Sequence, residues 1–150
     1  EITHHKTVQA INMTLKNRLR WLLLGFACMV AFAVIISFLF PVQTRNQAVL
    51  VDVRKQVSHV IFLLFLANAS VLEEIVYRQL LWEKLTFPFV QIGVTSFLFA
   101  LAHGPIQLGS WLIYSCLGMT LAVVRLKTDC MTAITLHLLW NSLVNILTFL

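Results

Sequence analysis

Polar and charged side chains lie inside stretches of this sequence that are otherwise apolar. Six of them, from three separate stretches, are Glu73, Glu74, Arg78, His103, His137 and Asn141. Placing one charged group inside a bilayer costs about 3 kcal/mol on insertion scales and more in simulations. We therefore expect the chain to gather these groups in one site, where protons, water or a metal ion carry the chemistry.

The acids and the arginine of the first stretch have different expected roles. Glu74 and Arg78 are four residues apart on a predicted helix, with the acid first, which is the order that favours an ion pair. Such a pair can brace the helix in an apolar interior. Glu73 points about 100° around the helix from Glu74 and lacks a partner nearby in the sequence, so it is a candidate general base. The alternative is a helix end at the membrane surface, with all three groups among lipid headgroups.

The other two stretches carry aromatic, imidazole and amide groups at helical spacing. Phe99 and His103 are four residues apart, so the phenyl ring can limit the orientation of the imidazole. His137 and Asn141 share a helix face by the same spacing, and Asn145 extends that stripe. Each also has a structural interpretation, as a helix cap for His103 and as interhelical hydrogen bonding for His137 and Asn141.

Taken together, one acid, two histidines and one amide are the groups that hydrolysis requires. A carboxylate can accept a proton from water, while hydrogen-bond donors or a metal ion stabilise the oxyanion. Glu73, His103 and His137 would equally suit a zinc ion bound by one glutamate and two histidines, with water in the fourth position. The residues alone leave both chemistries open.

The composition is that of a membrane protein. Of the 150 residues, 59% are hydrophobic and 11% charged, whereas soluble domains carry about 25% charged residues. No linker rich in Pro, Gly or Ser divides the chain, so we predict a single membrane domain over residues 1–150. We find no nucleic-acid motif and expect no nucleic-acid partner. The three scattered cysteines indicate neither a disulfide framework nor a CxxC zinc site.

Five apolar windows predict an all-α, multi-pass transmembrane bundle, because only helices satisfy their own backbone hydrogen bonds in lipid. The windows are residues 21–40, 57–81, 87–103, 106–125 and 131–150. Each is near the length that crosses a core of about 30 Å, and the third is the shortest. The first is too long for a signal-peptide core, so we expect it to span. Residues 43–56 alternate polar and apolar side chains and could form a loop with a short interfacial helix.

The distribution of Lys and Arg predicts the orientation. With the N-terminus inside, eight basic residues fall on inner segments and three on outer loops, which favours a cytoplasmic N-terminus. Four of the eight, Lys6, Lys16, Arg18 and Arg20, precede the first span and are expected to anchor the chain beside anionic lipid. His4 and His5, in the polar N-terminal tail, are expected to be solvated.

Helix lengths predict a separation in depth between two of the candidate residues. Counted from Val57 at the outer face, Glu73 lies about 24 Å deep. His103 lies about 22 Å from the inner face if its helix starts at Pro88. In a core of about 30 Å the two would sit about 15 Å apart in depth. We expect them to meet only if helix boundaries shift, helices tilt, or water enters a cavity from the inner side.

The order of the motifs resembles the CAAX protease and bacteriocin-processing (CPBP, or Abi) family of intramembrane endopeptidases. The matching segments are EExxxR at Glu73–Arg78, FxxxH at Phe99–His103 and HxxxN at His137–Asn141. The segment from Leu117 to His137 is also similar. The resemblance covers about residues 57–150, which would form the catalytic core, and the first span lies outside it.

The resemblance implies a proteolytic site within the membrane. The catalytic residues implied by matching positions are Glu73, His103, His137 and Asn141. The first two would activate water and the last two would hold the oxyanion. The supporting residues would be Glu74, Arg78 and Phe99. The family has been described both as metalloproteases and as glutamate-dependent enzymes, so the implied cofactor is either none or one zinc ion held by Glu73, His103 and His137. Asn141, a poor zinc ligand and a good oxyanion donor, favours the glutamate mechanism.

We therefore expect an endopeptidase that cleaves a membrane-associated protein or peptide and is embedded in a prokaryotic cell membrane. The eukaryotic members of the family trim prenylated CAAX proteins, and small prokaryotic ones are associated with peptide maturation or bacteriocin immunity. The alternatives are a non-catalytic immunity or scaffold protein on the same fold, and a proton-coupled transporter. The transporter would be expected to show broken helices and an internal repeat.

Overall fold

The computed structural model describes residues 14–42 and 45–149, without the side chain of Arg45. The predictions for His4, His5 and Lys6 fall outside these residues. Most of the described chain is helical. The helices are α1 (Leu15–Leu39), α2 (Arg45–Gln56), α3 (His59–Ile75), α4 (Leu81–Lys84), α5 (Pro88–Ala102), α6 (Leu108–Lys127) and α7 (Cys130–Phe149). A π-helical turn, Val76–Leu80, joins α3 to α4.

Local sequence explains where the helices begin and end. The side chain of Thr14 caps the start of α1, and Pro41 follows the end of that helix, where it cannot continue the hydrogen-bond ladder. Pro88 occupies the first turn of α5, the position at which a missing N–H has no cost. At the other end of α5, Gly104 has a φ of 58° directly after the cap residue His103, which favours glycine and turns the chain away.

The predicted multi-pass helical bundle is confirmed. Four helices among the described residues are long and apolar enough to cross a membrane: α1, the continuous helix His59–Lys84, α6 and α7. The third predicted window forms the shorter helix α5 of 15 residues, which is about 22 Å long. Residues 45–56 form helix α2, so the polar and apolar alternation there does belong to a short helix.

Apolar side chains cover the outside of the bundle, and several polar ones are buried inside it. Helix α6 packs against α1 and α5, and α7 packs against α3 and α1. The buried core consists of Met29, Phe99, Ala100, Tyr114, Leu117, Leu121, Val124 and Leu136. Ser70, Glu74, Arg78 and Thr95 are fully buried, while Leu64 and Leu147 are exposed. This distribution is expected of a bundle in lipid, where helices associate through close packing and buried hydrogen bonds.

One basic residue near the start of the first span contacts protein. Arg18 pairs with Asp129 at 2.5 Å between Nη2 and Oδ2. Asp129 also accepts hydrogen bonds from the backbone N–H and the hydroxyl of Thr132 at the start of α7. The pair therefore joins the beginning of α1 to the helix that carries His137, in addition to any contact with lipid.

The predicted separation in depth between Glu73 and His103 is wrong. The helix that carries Glu73 continues to Lys84, and α5 starts at Pro88 after a three-residue turn, so both residues can be measured from this shared turn. Glu73 lies about 16 Å above Lys84, and His103 lies about 22 Å above Pro88. The difference of about 6 Å is within reach of the side chains. The sequence-based count failed because it fitted each helix to a core of about 30 Å, whereas His59–Lys84 has 26 residues and is about 39 Å long.

Candidate active site

Three side chains from three helices converge on one point inside the bundle. The Oε2 atom of Glu73 lies 3.8 Å from Nε2 of His103 and 4.0 Å from Nε2 of His137. Oε2 is buried and has no hydrogen-bond partner among the residues that the structure describes. A water oxygen makes hydrogen bonds of about 2.8 Å, so one water molecule can bridge the carboxylate and both rings. The three predicted residues are therefore brought together.

The second nitrogen of each imidazole fixes the direction of its ring. Nδ1 of His103 lies 2.7 Å from the carbonyl oxygen of Phe99, and Nδ1 of His137 lies 3.0 Å from Oε1 of Glu74. A carbonyl and an ionised carboxylate can only accept hydrogen bonds, so each Nδ1 carries the proton and donates. Each Nε2 then faces Glu73, as a lone pair when the ring is neutral and as a donor when the ring is protonated.

Glu74 and Arg78 form the predicted ion pair, in the interior of the bundle. Oε2 of Glu74 lies 3.4 Å from Nε of Arg78, and both side chains are fully buried, so the headgroup interpretation is wrong for these two residues. Arg78 also donates to the carbonyl oxygen of Gly118 at 2.9 Å, and its guanidinium lies 4.9 Å from the centre of the Phe99 ring. The bond from Glu74 to His137 is a second function of this carboxylate that the sequence did not indicate.

Asn141 lies one turn beyond His137 on α7 and joins this helix to α3. Its Nδ2 donates to the hydroxyl of Ser70 at 2.8 Å, and that hydroxyl donates to the carbonyl oxygen of Leu66 at 2.9 Å. The interpretation of Asn141 as an interhelical hydrogen bond is therefore correct. A side-chain amide has two N–H donors, so the second stays available to a ligand.

Aromatic rings enclose the imidazoles. The ring of Phe99 lies 4.3 Å from that of His103 and 5.7 Å from that of His137, between centroids, which confirms the predicted contact between Phe99 and His103. The ring of Tyr114 also lies 4.4 Å from that of His103. These contacts restrict rotation of the imidazole.

Sequence reasoning missed Ser70 and Tyr114, although each carries a weak signal. Ser70 precedes Glu74 by four residues and therefore shares its helix face. Tyr114 precedes Gly118 by four residues on α6, and both contact the site. Neither belongs to a motif, and a polar or aromatic side chain at this spacing is common on buried helices. The contacts between helices were needed to identify them.

A π-helical turn begins two residues after Glu74. Residues Val76–Leu80 form this turn, which contains Arg78. Insertions of this kind within α-helices occur frequently at functional sites. The backbone carbonyl of Arg78 accepts a hydrogen bond of 2.7 Å from Nε of Arg125 on α6, so a side chain from a neighbouring helix stabilises the turn.

A cavity of about 820 Å³ extends from the two histidines towards α2. His103, His137 and Asn141 line it near the site, and residues 46–48 and 50–52 of α2 line its other end. Most of the remaining wall consists of apolar side chains from α1, α3, α6 and α7. Its volume is in the range of small-molecule binding sites, which is enough to admit a short peptide segment.

The candidate zinc ligands have suitable chemistry but not the spacing of a metal site. Both histidines use Nδ1 for a hydrogen bond, as metal-bound histidines do with the nitrogen that does not bind the metal. Both direct Nε2 at the carboxylate of Glu73. However, the described part of the chain contains no group of three or more His, Cys, Asp or Glu side chains arranged to hold a metal ion. We therefore assign no reaction step to a metal, and both expectations for the cofactor, none or one zinc ion, stay predictions.

Comparison with known proteins identifies the family. Residues 55–143 match the model of the Rce1-like family, described as type II CAAX prenyl endopeptidase Rce1-like. The chain is also 28% identical over 128 residues to the UPF0177 protein YvdC of Lactococcus lactis subsp. lactis (strain IL1403). That alignment covers 80% of this chain and 49% of YvdC, so the chain spans about half the length of this relative. No solved structure matches the chain significantly. The family match spans all three motifs, confirms the resemblance drawn from them, and shows that this chain belongs to the Rce1-like, type II CAAX prenyl endopeptidase family.

Proposed function

We propose that this protein is an intramembrane endopeptidase that hydrolyses a peptide bond in a membrane-associated protein or peptide. The observation that carries the proposal is the convergence of Glu73 Oε2 with Nε2 of His103 and of His137 at about 4 Å, beside a cavity within an apolar bundle. Membership of a membrane protease family supports the same reaction class. The neighbouring amide of Asn141 supplies a further donor at the cavity wall.

In the proposed mechanism, Glu73 is the general base. Its Oε2 accepts a proton from the bridging water while the water oxygen attacks the carbonyl carbon of the substrate. His103, as a neutral ring, accepts a hydrogen bond from the same water at Nε2 and orients it. The proton held by Glu73 then passes to the leaving nitrogen as the C–N bond breaks, which regenerates the carboxylate.

The oxyanion is stabilised by Asn141 and His137 in this mechanism. Asn141 donates its second amide N–H, the one that Ser70 does not use. Because Nδ1 of His137 already donates to Glu74, Nε2 can donate only when the ring is an imidazolium. Glu74 stabilises that cation, in the way that a buried carboxylate supports the histidine of a serine protease triad. The site then contains two carboxylates, the guanidinium of Arg78 and one imidazolium, so its net charge is zero.

Four further expectations belong to this proposal. The N-terminus lies in the cytoplasm of a prokaryotic cell, residues 57–150 form the catalytic core, and the partners are a membrane-associated substrate and the bilayer. The glutamate mechanism needs no cofactor. The alternative mechanism uses a zinc ion bound by Glu73, His103 and His137. Only a measurement of cleavage separates the protease from a non-catalytic bacteriocin immunity or scaffold protein on the same fold.

The test is cleavage of membrane-anchored fluorogenic peptides of mixed sequence by the purified protein in liposomes. The unaltered protein should cleave members of the mixture, and the Glu73→Gln and His103→Ala variants should not, while all three keep the same thermal unfolding midpoint within a few degrees. Glu83→Gln is the matched control, because this exposed carboxylate pairs with the side chain of Gln79 on the surface. Full cleavage by both site variants would overturn the assigned roles, and no cleavage by the unaltered protein would overturn the protease assignment.

A further inference from the structure

Asn145 is a buried amide that the mechanism above does not use. It lies one turn beyond Asn141 on α7, it is one of the residues that line the cavity, and only 7% of the residue is exposed. Its Oδ1 atom is buried without a hydrogen-bond partner among the described residues. An unpaired acceptor in apolar surroundings destabilises a fold, so a side chain retained in this state needs another explanation.

The position of Asn145 relates it to the proposed reaction. His137, Asn141 and Asn145 follow each other at intervals of four residues and all line the same cavity. Each interval corresponds to a rise of about 6 Å along the helix. An extended peptide advances about 3.3 Å per residue, so two of its residues match one interval. A substrate that lies extended along α7, with its scissile carbonyl beside Asn141, therefore brings a backbone peptide group to Asn145.

We propose that Asn145 is a substrate-binding residue whose Oδ1 accepts a hydrogen bond from a backbone N–H two residues away from the scissile bond. The inference rests on the proposed function and extends it to substrate recognition. A backbone N–H is present in every residue except proline, so this contact fixes the register of the peptide with little regard to its side chains. Proline at the contacted position is excluded by the same contact.

The experiment uses a fluorogenic peptide that the unaltered protein cleaves in liposomes, together with a series in which each backbone nitrogen is methylated in turn. In Asn145→Ala and in Asn145→Leu, which preserves the volume, KM should rise about 5- to 20-fold with kcat changed less than twofold, because a ground-state contact is lost. Methylation of the one nitrogen that lies two residues from the scissile bond should raise KM by the same factor in the unaltered protein. In the two variants it should raise KM no further. Ser142→Ala, an exposed polar residue on the same helix, is the matched control and should behave as the unaltered protein.

A stability measurement separates substrate binding from a structural role. Because Oδ1 has no partner in the fold, both variants should unfold at the same temperature as the unaltered protein or at a higher one. An unchanged KM in both variants would overturn the inference. So would a rise in KM on methylation that adds to the effect of the Asn145 substitutions at every backbone position. The protease assignment would stand in both cases. A lowered unfolding temperature with unchanged KM would show that Asn145 serves the fold alone. Absence of cleavage by the unaltered protein would overturn the proposed function itself.

Discussion

Replacing Arg78 with methionine should destabilise the protein more than any surface substitution. The change removes the guanidinium from Glu74, which is fully buried and keeps only its bond to His137. Breaking a buried ion pair on one side costs about 3–5 kcal/mol. The hydrogen bond to the carbonyl of Gly118 and the contact with the Phe99 ring are lost as well. The remaining bond from His137 to Glu74 partly stabilises the buried carboxylate, which keeps the total cost in this range. We therefore expect a loss of about 3–5 kcal/mol in the free energy of unfolding.

A double-mutant cycle tests the cause of this loss. The measurement is equilibrium unfolding in mixed detergent and SDS micelles, followed by tryptophan fluorescence. The variant with both Glu74→Gln and Arg78→Met leaves no buried charge in the pair, so it should be more stable than Arg78→Met alone, with a coupling energy of about 2 kcal/mol or more. Lys55→Met is the control, because Lys55 and Asp52 form a pair at 3.5 Å with about 70% of each side chain exposed, and it should cost less than about 1 kcal/mol. Additive effects of the two buried substitutions, or a cost of Arg78→Met below about 1 kcal/mol, would refute the reasoning.

Three further predictions concern the oxyanion site, the metal and the packing of α6. Asn141→Ala should lower kcat about 10²- to 10³-fold. Ser70→Ala removes only the hydrogen-bond partner of the Asn141 amide, so it should lower kcat less than tenfold. Full kcat in Asn141→Ala, measured in liposomes, would contradict the oxyanion role. EDTA or 1,10-phenanthroline should leave the initial rate unchanged. A loss of activity on chelation that is reversed by adding Zn²⁺ would contradict the glutamate mechanism. Gly118→Ala should destabilise by about 1–3 kcal/mol, because the new Cβ would lie 3.0 Å from Cα of Ser96. Gly93→Ala, with nothing within 4 Å, should be neutral or slightly stabilising, and equal stabilities of the two variants would contradict the packing argument.

The helices could be predicted from the sequence because in lipid each one must satisfy its own backbone hydrogen bonds. Apolar windows and prolines therefore located most boundaries, such as Pro41 and Pro88. The relative depth of Glu73 and His103 was not predictable in this way. It depends on where the chain turns between two helices, and the continuous helix His59–Lys84 is longer than the hydrocarbon core that the prediction assumed.

The membership of the site was also largely predictable, whereas its internal connections were not. Ionisable groups inside the apolar windows of the sequence are few, so their motifs identified Glu73, His103 and His137. The Glu74–Arg78 pair followed from helix spacing, which is a local property. The bond from Glu74 to His137 spans 63 residues, and no local pattern indicates it. Ser70 became recognisable only through its hydrogen bond to α7.

An experimental structure of the protein in lipid, at a resolution that shows ordered water, tests the central claim most directly. The account predicts one water molecule about 3 Å from Oε2 of Glu73 and in contact with Nε2 of both His103 and His137. A Glu73 side chain directed at lipid headgroups, with its carboxylate more than about 6 Å from both rings, would contradict it because no single water could then bridge the three. A metal ion at that point, bound by all three side chains, would contradict the metal-free mechanism.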